Sequence, residues 1–577
     1  MYNPVPITQT ATEGVRNYHE RRFQQLRNLR TPWEDLWRDI DTYIVPGYLR
    51  LEPQQNHGER GRRRRLNIVD NTGQKAHRVF RSGMHSGMTS KARPWNKLTT
   101  NNEELREIPD VKMYLHKSTM RLREVMAKSN LYGAFHTKYG SHGSIGTAAS
   151  YLSPDPKYVV RNTTLIAGTY WIANNFRNEA DTLYHSISMT AKQIVEMFDK
   201  PGDNVPRVVM EAYDGSNKDM MFLVHHAMEP RAMRDTSSKR PDNMPYLSNY
   251  WMDVDDDKDR MLRESGSKIN RVIASRWDTV DSDEYGYSLG MDALGDVKQL
   301  QKQQARKLEV LDKLTRPPLV GPTSMRGQRT SLLPGAMNFS DEVSRSGGLR
   351  PVVDLSSYNL APLAEDIMNT KIDIKETYFN DLFKAISNMP GIQPRNAMEL
   401  AERKEESLLQ LGPALERLEG EELTPTIAGT IHYMREAGLM PQIPEELKDK
   451  PAEMTVQYTS ILAQAQRAVG VLANERTVAF IGNLAEAKPE ALDKLDVDQA
   501  IDDYADRMGA SAGIIISDAK VKEMRDARAK QQQQQQAAEQ AAMVAPAMKQ
   551  GAEAARLMSE ADDTPGDPTT LLNELNL

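Results

Sequence analysis

Carboxylates alternate at Asp253, Asp255, Asp257 and Asp259, and Glu264 falls at the twelfth position of the run. That layout imitates a loop that cages Ca2+ in oxygen ligands. Lys258 stands where such a loop needs glycine, and a strand-like run precedes it, so the segment reads as a solvated hairpin turn. His77 and His85 are eight apart, and His225-His226 alternate faces of a strand, so each reads as a structural histidine. No HExxH spacing occurs. Gly87-Met88-Thr89-Ser90-Lys91 has its lysine after the serine and lacks the leading glycine of a phosphate loop. Gly140, Gly143 and Gly146 are spaced by three and follow a helical segment, which rules out a dinucleotide fingerprint. With zero cysteines there is no thiol nucleophile, disulfide or common structural zinc site. No nucleophile–base–acid order or paired-carboxylate context stands out. The expectation is a protein that is not an enzyme and holds no cofactor and no metal.

The one dense basic run, Arg60 and Arg62 to Arg65, can serve as a phosphate contact. The favoured reading is a solvated loop, or an electrostatic partner for the acidic face of a neighbouring subunit. The whole chain, with 74 Lys+Arg against 80 Asp+Glu and a net charge of −6, lacks the basic excess of a protein that grips nucleic acid. At 577 residues it should form roughly three or four packed units. Charged residues make up 27% and the mean hydropathy is −0.62, and no run approaches the roughly 20 apolar residues that span a bilayer. The N-terminal residues lack the basic-then-apolar layout of a secretory signal.

The elements divide by period. Residues 12–140 are helical in pattern: Thr31-Pro32-Trp33-Glu34 reads as a helix start, Trp33, Trp37, Ile40 and Ile44 as its core face, and Pro46-Gly47 as its end. A second helix opens at Asp70 and carries Ala76, Phe80, Met84 and Met88, with Gly83 and Gly87 admitting another backbone. A third covers about 110–128, and the small-residue stretch 129–150 predicts tight packing. From about 150 to 280, short β-branched and aromatic runs predict a mostly antiparallel β layer: Tyr158–Asn162, Leu165–Ala173, Leu183–Met189, Phe222–Ala227, Tyr246–Asp253 and Arg271–Arg276, with a helix at about 190–198. Two long helices follow, about 288–315 and 357–386, around a Pro/Gly/Arg-rich module at 317–351 with a short strand or two. The waist of the first, Gln301, Lys302, Gln303, Gln304 and Lys307, is polar all round, which predicts contact with something outside its own core. Residues 387–397 form an irregular loop, helix resumes at about 397–437 and again over 458–530, and an Ala/Gln-rich tail closes the chain.

Along this order sit short stretches whose collinear set is specific. They are Thr31-Pro32-Trp33-Glu34-Asp35-Leu36-Trp37 with Tyr43-Ile44-Val45-Pro46, then Asp70-Asn71-Thr72-Gly73, Gly83 to Ser90 and Arg93-Pro94-Trp95. Ser129 to Tyr132, Gly146-Thr147-Ala148-Ala149, Arg276-Trp277, Tyr285-Gly286, Arg316-Pro317-Pro318, Leu462 to Gln466 and Asp496-Val497-Asp498 follow. With them the chain resembles, over residues 15–530, the portal or head-to-tail connecting proteins of short-tailed bacteriophages. At Tyr287 it departs from relatives, which tend to carry an arginine after the glycine.

The resemblance implies an α+β, mainly helical portal fold assembled as a ring, usually of twelve identical subunits, at one capsid vertex. Residues 1–286 then correspond to the wing, 287–315 to the first stem helix and 316–356 to the clip. Residues 357–386 correspond to the second stem helix, 387–397 to the tunnel loop and 398–439 to a tunnel-side helix returning to the wing. The crown is 440–530, and 531–577 is a tail that is either a barrel-like helix or disordered. The ring is the channel through which a terminase motor packages DNA, and it retains and later ejects the genome and carries the tail. The implied partners are other copies of the chain, the terminase large subunit, major capsid and scaffolding proteins, a tail adaptor, and double-stranded DNA held without sequence specificity; no membrane is involved. The implied location is the portal vertex of the virion, after assembly in the host cytoplasm. The tunnel-loop and channel candidates are Lys384, Asn388, Met389, Pro390, Gly391, Ile392, Gln393, Pro394 and Arg395, with Lys384 and Arg395 as scattered phosphate contacts. Arg316, Arg326, Arg329, Arg345 and Arg350 give the clip a basic docking surface. A non-channel internal virion or scaffold protein, and a metal-dependent virion enzyme, are the rival readings.

Overall fold

The computed structural model describes residues 14–51, 68–102, 105–106, 108–198, 203–232, 234–237, 240–253, 261–315, 319–320, 350–351, 360–388, 394–449, 454–465, 478–485, 488, 494–501, 520–536, 551–552 and 556; over 319–320, 350–351, 387–388 and 394–405 only the backbone is described. The chain forms two compact units, Met1–Thr477 and Val478–Leu577.

In the first unit the order is α1 (Val15–Tyr43), α2 (Thr72–Met88), β1 (Asn96–Thr100), α3 (Pro109–Lys128), α4 (Leu131–Ser144), β2 (Thr147–Asp155), β3 (Val159–Thr164), β4 (Tyr170–Asn174) and β5 (Ala180–Thr190). There follow α5 (Ala191–Phe198), α6 (Arg207–Asp214), β6 (Met221–Pro230), β7 (Tyr246–Met252), β8 (Arg263–Ser267), β9 (Val272–Arg276), α7 (Leu289–Asp292), α8 (Leu294–Thr315), β10 (Leu319–Val320) and β11 (Arg350–Pro351). The run ends with α9 (Ala361–Thr377), α10 (Asn380–Asn388), α11 (Pro394–Leu418), a π-helix (Glu419–Leu423), α12 (Thr424–Glu436), α13 (Glu445–Asp449) and β12 (Met454–Tyr458). The expected mixed helix-and-sheet class with an antiparallel β layer is present: β4-β5-β6-β7-β8 form a meander beside a three-stranded sheet β3-β2-β9.

Several elements differ from the sequence reading, each for a tertiary reason. α1 does not start at Thr31; it runs unbroken from Val15 with Pro32 inside it. Upstream of the proline, Phe23 and Leu26 are buried against Trp171 and Tyr184, and Arg30 is buried under 4% exposed. The Arg30 guanidinium donates to the Gly168 and Tyr170 carbonyls at 2.7 and 3.0 Å, pairs with Glu34, and lies 4.2 Å over the Trp171 ring. Pro32 removes one backbone donor, and both it and Asn28, whose carbonyl loses a partner, are exposed to water. The packed face outweighs the break.

The small-residue stretch 129–150 divides into α4 and the start of β2. There Gly143 lies against the Phe80 ring, and Gly146, at φ +85°, passes so close to the backbone of Gly286 that no side chain fits. Gly83 and Gly87 do admit a close neighbour, but it is the Phe383 ring and Leu462 rather than another backbone. The second long helix is not continuous: it breaks at Tyr378-Phe379, where Phe379 takes φ +51°. The break turns α10 so that Tyr378, Leu382, Phe383 and Ile386 all enter the core. β12 falls at the edge of the stretch read as helix and pairs antiparallel with β1, Asn96 opposite Tyr458 and Thr100 opposite Met454. In the second unit, helix is present at 478–485, 497–501 and 520–536, and Arg525 holds Asp498 with two bonds at 2.5 and 2.8 Å.

Candidate functional site

The two long helices α8 and α9 lie antiparallel. Val297, Leu300, Ile367 and Ile374 on these helices are buried, Val297 against Gly73 of α2, and a polar rung joins the pair: the Gln303 amide donates to Asp366 at 2.5 Å and Thr370 at 3.3 Å, and Gln299 donates to Thr370 at 3.4 Å. Gln301 faces a different partner. Its carbonyl oxygen accepts from the backbone N–H of Val69 (2.7 Å) and Asp70 (2.9 Å), and its amide donates to the Asp70 carbonyl (2.8 Å).

Asp70 is the knot of this anchor. One carboxylate oxygen accepts from the Thr72 N–H and hydroxyl at the start of α2, at 2.7 and 2.5 Å. The other meets Lys371 of α9 at 2.7 Å and Gln304 of α8 at 3.1 Å. Burial by itself would raise this carboxyl; the hydrogen bonds from Lys371 and Thr72 and the lysine's charge together hold it below its ordinary range. One aspartate thus fixes the start of α2 to both long helices.

This geometry corrects the polar waist. Gln301 and Gln303 are buried, and the amides of both, with that of Gln304, donate within the chain, so they do not face outward; the Gln303 carbonyl oxygen is buried without a partner among the described residues. Lys302 is exposed and Lys307 half-buried. The isolated polar run signalled a second element crossing the helix; which element it was, the pattern did not say.

A second anchor, missed in the sequence, lies at the π-helix. Its i→i+5 geometry inserts an extra residue, and both Glu421 and Glu422 turn inward. Glu421 accepts from the backbone N–H and guanidinium of Arg276, each at 2.8 Å. Glu422, fully buried, meets the Lys138 ammonium at 2.5 Å and accepts from the Ser275 hydroxyl at 2.7 Å. His142 contacts the same hydroxyl at 2.8 Å. Burial pulls the Lys138 ammonium below its usual range, and Glu422 opposes that. The pair ties α4, β9 and the π-helix together ahead of α12. Its one signal was a lysine inside a run of small residues expected to pack tightly.

Of the remaining candidates, Lys384 is exposed on α10, 4.0 Å from Asp381 one turn away. Asn388 is the last residue of α10, while Met389, Pro390, Gly391, Ile392 and Gln393 lie outside the described residues. Pro394 and Arg395 open α11, so helix resumes three residues before the expected position, with proline where its missing N–H does no harm. Arg316, Arg326, Arg329 and Arg345 lie outside the described residues. Arg350 lies on β11 opposite Val320, in the short ladder predicted for that module.

The histidines are structural, as expected. His225 and His226 face opposite sides of β6: His225 reaches Ser186 and Asp253, and His226 stacks on Tyr250 and contacts His185 at 2.8 Å. Asp253 therefore belongs to this contact, and Asp255 to Asp259 lie outside the described residues. Among the described residues, no three acidic or histidine side chains are grouped to hold a metal, and no helix is long and apolar enough to cross a membrane.

A family model described as "Bacteriophage head to tail connecting protein" matches residues 16–516. The chain is 39% identical over 556 residues to the "Portal protein" of Salmonella phage epsilon15, covering 96% of each, and 39% identical over 542 residues to the "Probable portal protein" of Bordetella phage BPP-1, covering 94% of this chain and 95% of the relative. Among solved structures, a chain of the "Virion of native gene transfer agent (GTA) particle" matches with TM-score 0.33 and 11% identity over 76% of this chain and 90% of that one. A chain of the "Neck of empty GTA particle computed with C6 symmetry" matches with TM-score 0.34 and 12% identity over 76% and 92%. The family match runs through both anchors and both long helices, and the relatives are aligned almost end to end: the chain belongs to the bacteriophage head to tail connecting proteins, the portal proteins of phage virions.

Proposed function

We propose that copies of this chain close into a ring, usually of twelve, at one capsid vertex, and that its bore is the path for DNA entry, retention and exit. The observation that carries this is the 39% identity to a phage portal protein over 96% of both chains. The paired helices α8 and α9 serve as the stem, the β10–β11 module as the clip that meets the terminase large subunit and later the tail adaptor, and the segment between α10 and α11 as the tunnel loop. Residues 1–286 form the wing, 398–439 the tunnel-side helix and 440–530 the crown, with capsid and scaffolding proteins around the wing. Assembly takes place in the host cytoplasm.

The charge balance supports a conduit. A lining rich in cations would release counterions and clasp a duplex, with affinity multiplied over the copies. A net charge of −6 per chain favours weak, sequence-blind contact. Lys384 and Arg395 are the scattered phosphate contacts in this scheme, and the clip arginines steer acidic partner surfaces.

A phage with a stop codon in this gene tests the assignment. Heads that hold no DNA and carry no tail, rescued by supplying the chain in trans, are expected. Full, tailed heads made without the chain would refute it.

A further inference from the structure

We infer that the open edge of β12 takes an extended segment of another protein as a third strand beside β1 and β12. β12 pairs with β1 in antiparallel register, Leu98 opposite Val456. The Leu98 N–H donates to Thr119 Oγ1 at 3.0 Å, on the side away from β12. Past the end of the ladder, the Thr459 N–H donates to the Trp95 carbonyl at 2.8 Å. The alternation of an antiparallel pair fixes the rest: Thr455 and Gln457 bond to β1, and Met454, Val456 and Tyr458 turn their backbone N–H and C=O groups to the opposite edge. Among the described residues nothing bonds to those groups there.

Other strand edges in the chain are closed by side chains. On β3, Asn130 meets both groups of Asn162, accepting from its N–H at 2.9 Å and donating to its carbonyl at 2.7 Å. On β9, Asn270 accepts from the Val272 N–H at 2.9 Å and Glu421 from the Arg276 N–H at 2.8 Å. On β4, the Tyr285 hydroxyl accepts from the Ile172 N–H at 3.3 Å, and Arg30 donates to the Tyr170 carbonyl. On the outer side of β1, Thr119 and Arg123 hold Leu98 and Asn96 in the same way. An edge left without such a guard is a template for another strand. β12 also lacks a charge to repel one: no charged residue occurs from Met454 to Gln466.

The two faces of the pair specify the occupant. Met454, Val456 and Tyr458 lie over the core with Leu98, and Thr455 and Gln457 share the other face with Lys97 and Thr99. A segment added here alternates apolar residues over the core with hydroxyl or acidic ones beside Thr455 and Gln457. Lys97 has no ion pair among the described residues and stands in the same row as Gln457. It is two strand spacings, about 10 Å, from the incoming residue, so an acid is favoured over a cation at that place. That the occupant is a different protein rests on the ring proposed above. Neighbours related by rotation meet through two unlike surfaces, whereas β12 against β12 needs a two-fold axis.

Hydrogen exchange of the full-length chain tests this with a synthetic heptapeptide probe in which three valines alternate with threonine and one glutamate. Without the probe, the amides of Val456 and Tyr458 should exchange fast and those of Thr455 and Gln457 slowly. Saturating probe should slow Val456 and Tyr458 at least about tenfold. The same peptide, N-methylated along its bonding edge, should not. Val456→Pro removes an outward N–H and no bond to β1, so it should keep the wild-type thermal transition and weaken the probe at least about tenfold. No slowing by the probe, or equal binding by the N-methylated peptide or by a folded Val456→Pro chain, would overturn the inference. So would slow exchange at Val456 in the chain alone that turns fast on dilution, since a second copy then holds the edge. Rings that take no probe refute this inference only. Absence of rings under any assembly condition refutes the proposed function, whatever the probe does.

Discussion

At the residue scale, the buried pair Lys138–Glu422 sets the sharpest expectation. Removing one partner, as in Glu422→Gln or Lys138→Met, leaves the other without its counter-charge in the interior and should cost about 3–5 kcal/mol. Replacing both with Met and Leu should come out about neutral by the same reasoning, because the desolvation of both charges is removed too. Denaturant unfolding of the two single variants and the double checks this: additive losses would contradict it. The histidines set a second. Burial lowers His19, His142 and His185 to about 3 and His77 to about 4, and His226 falls well below its ordinary value of 6.5. The unfolded chain takes up these protons near pH 6.5, whereas the folded chain refuses them until far lower pH. The stability they confer is therefore complete above about pH 6.5 and drains as pH falls toward 3, by up to about 1.4 kcal/mol per pH unit for each. Unfolding measured between pH 7 and 4 should show uptake of several protons; a flat profile would rule this out. A third concerns DNA: particles carrying Arg395→Ala should retain packaged genomes less well, and normal retention would remove Arg395 from the channel.

Among the elements, α2 and α10 are closely joined. A methyl at Gly83 overlaps the Phe383 ring, so Gly83→Ala should cost about 1–3 kcal/mol, and Phe383→Ala about 3–5 kcal/mol through the cavity it leaves. The two share one space, so the double variant should lose clearly less than the sum, a coupling that thermal or denaturant melts can read. Here the limits of sequence reading become physical. The spacing of Gly83 and Gly87 on a helix announced a close neighbour, and the β-branched and aromatic runs at 222–227 and 246–253 announced strands. What stayed hidden was set by contacts far away in the chain. Arg30 and Trp171 carry α1 through Pro32. Tyr378 and Phe383, by entering the core, break the second long helix. The π-helix arises where Glu421 and Glu422 must reach Arg276 and Lys138 together, and no local pattern marks that. For the candidate site, the polar waist was legible as an anomaly on α8. Its cause, the knot at Asp70, required knowing that the start of α2 crosses there.

For the whole molecule, the proposed stem, clip and tunnel loop would serve one purpose only if identical copies stood side by side around an axis. A single copy exposes Met368 and Ile372 on α9 to water and leaves Lys302 unpaired among the described residues. The most direct measurement is negative-stain imaging of the purified full-length chain under assembly conditions, with its mass determined in parallel. The predicted result is a closed ring with a stain-filled central hole and a mass that is a whole multiple of 65.1 kDa. A compact particle of a single copy, with no hole under any condition that supports assembly, would contradict the account.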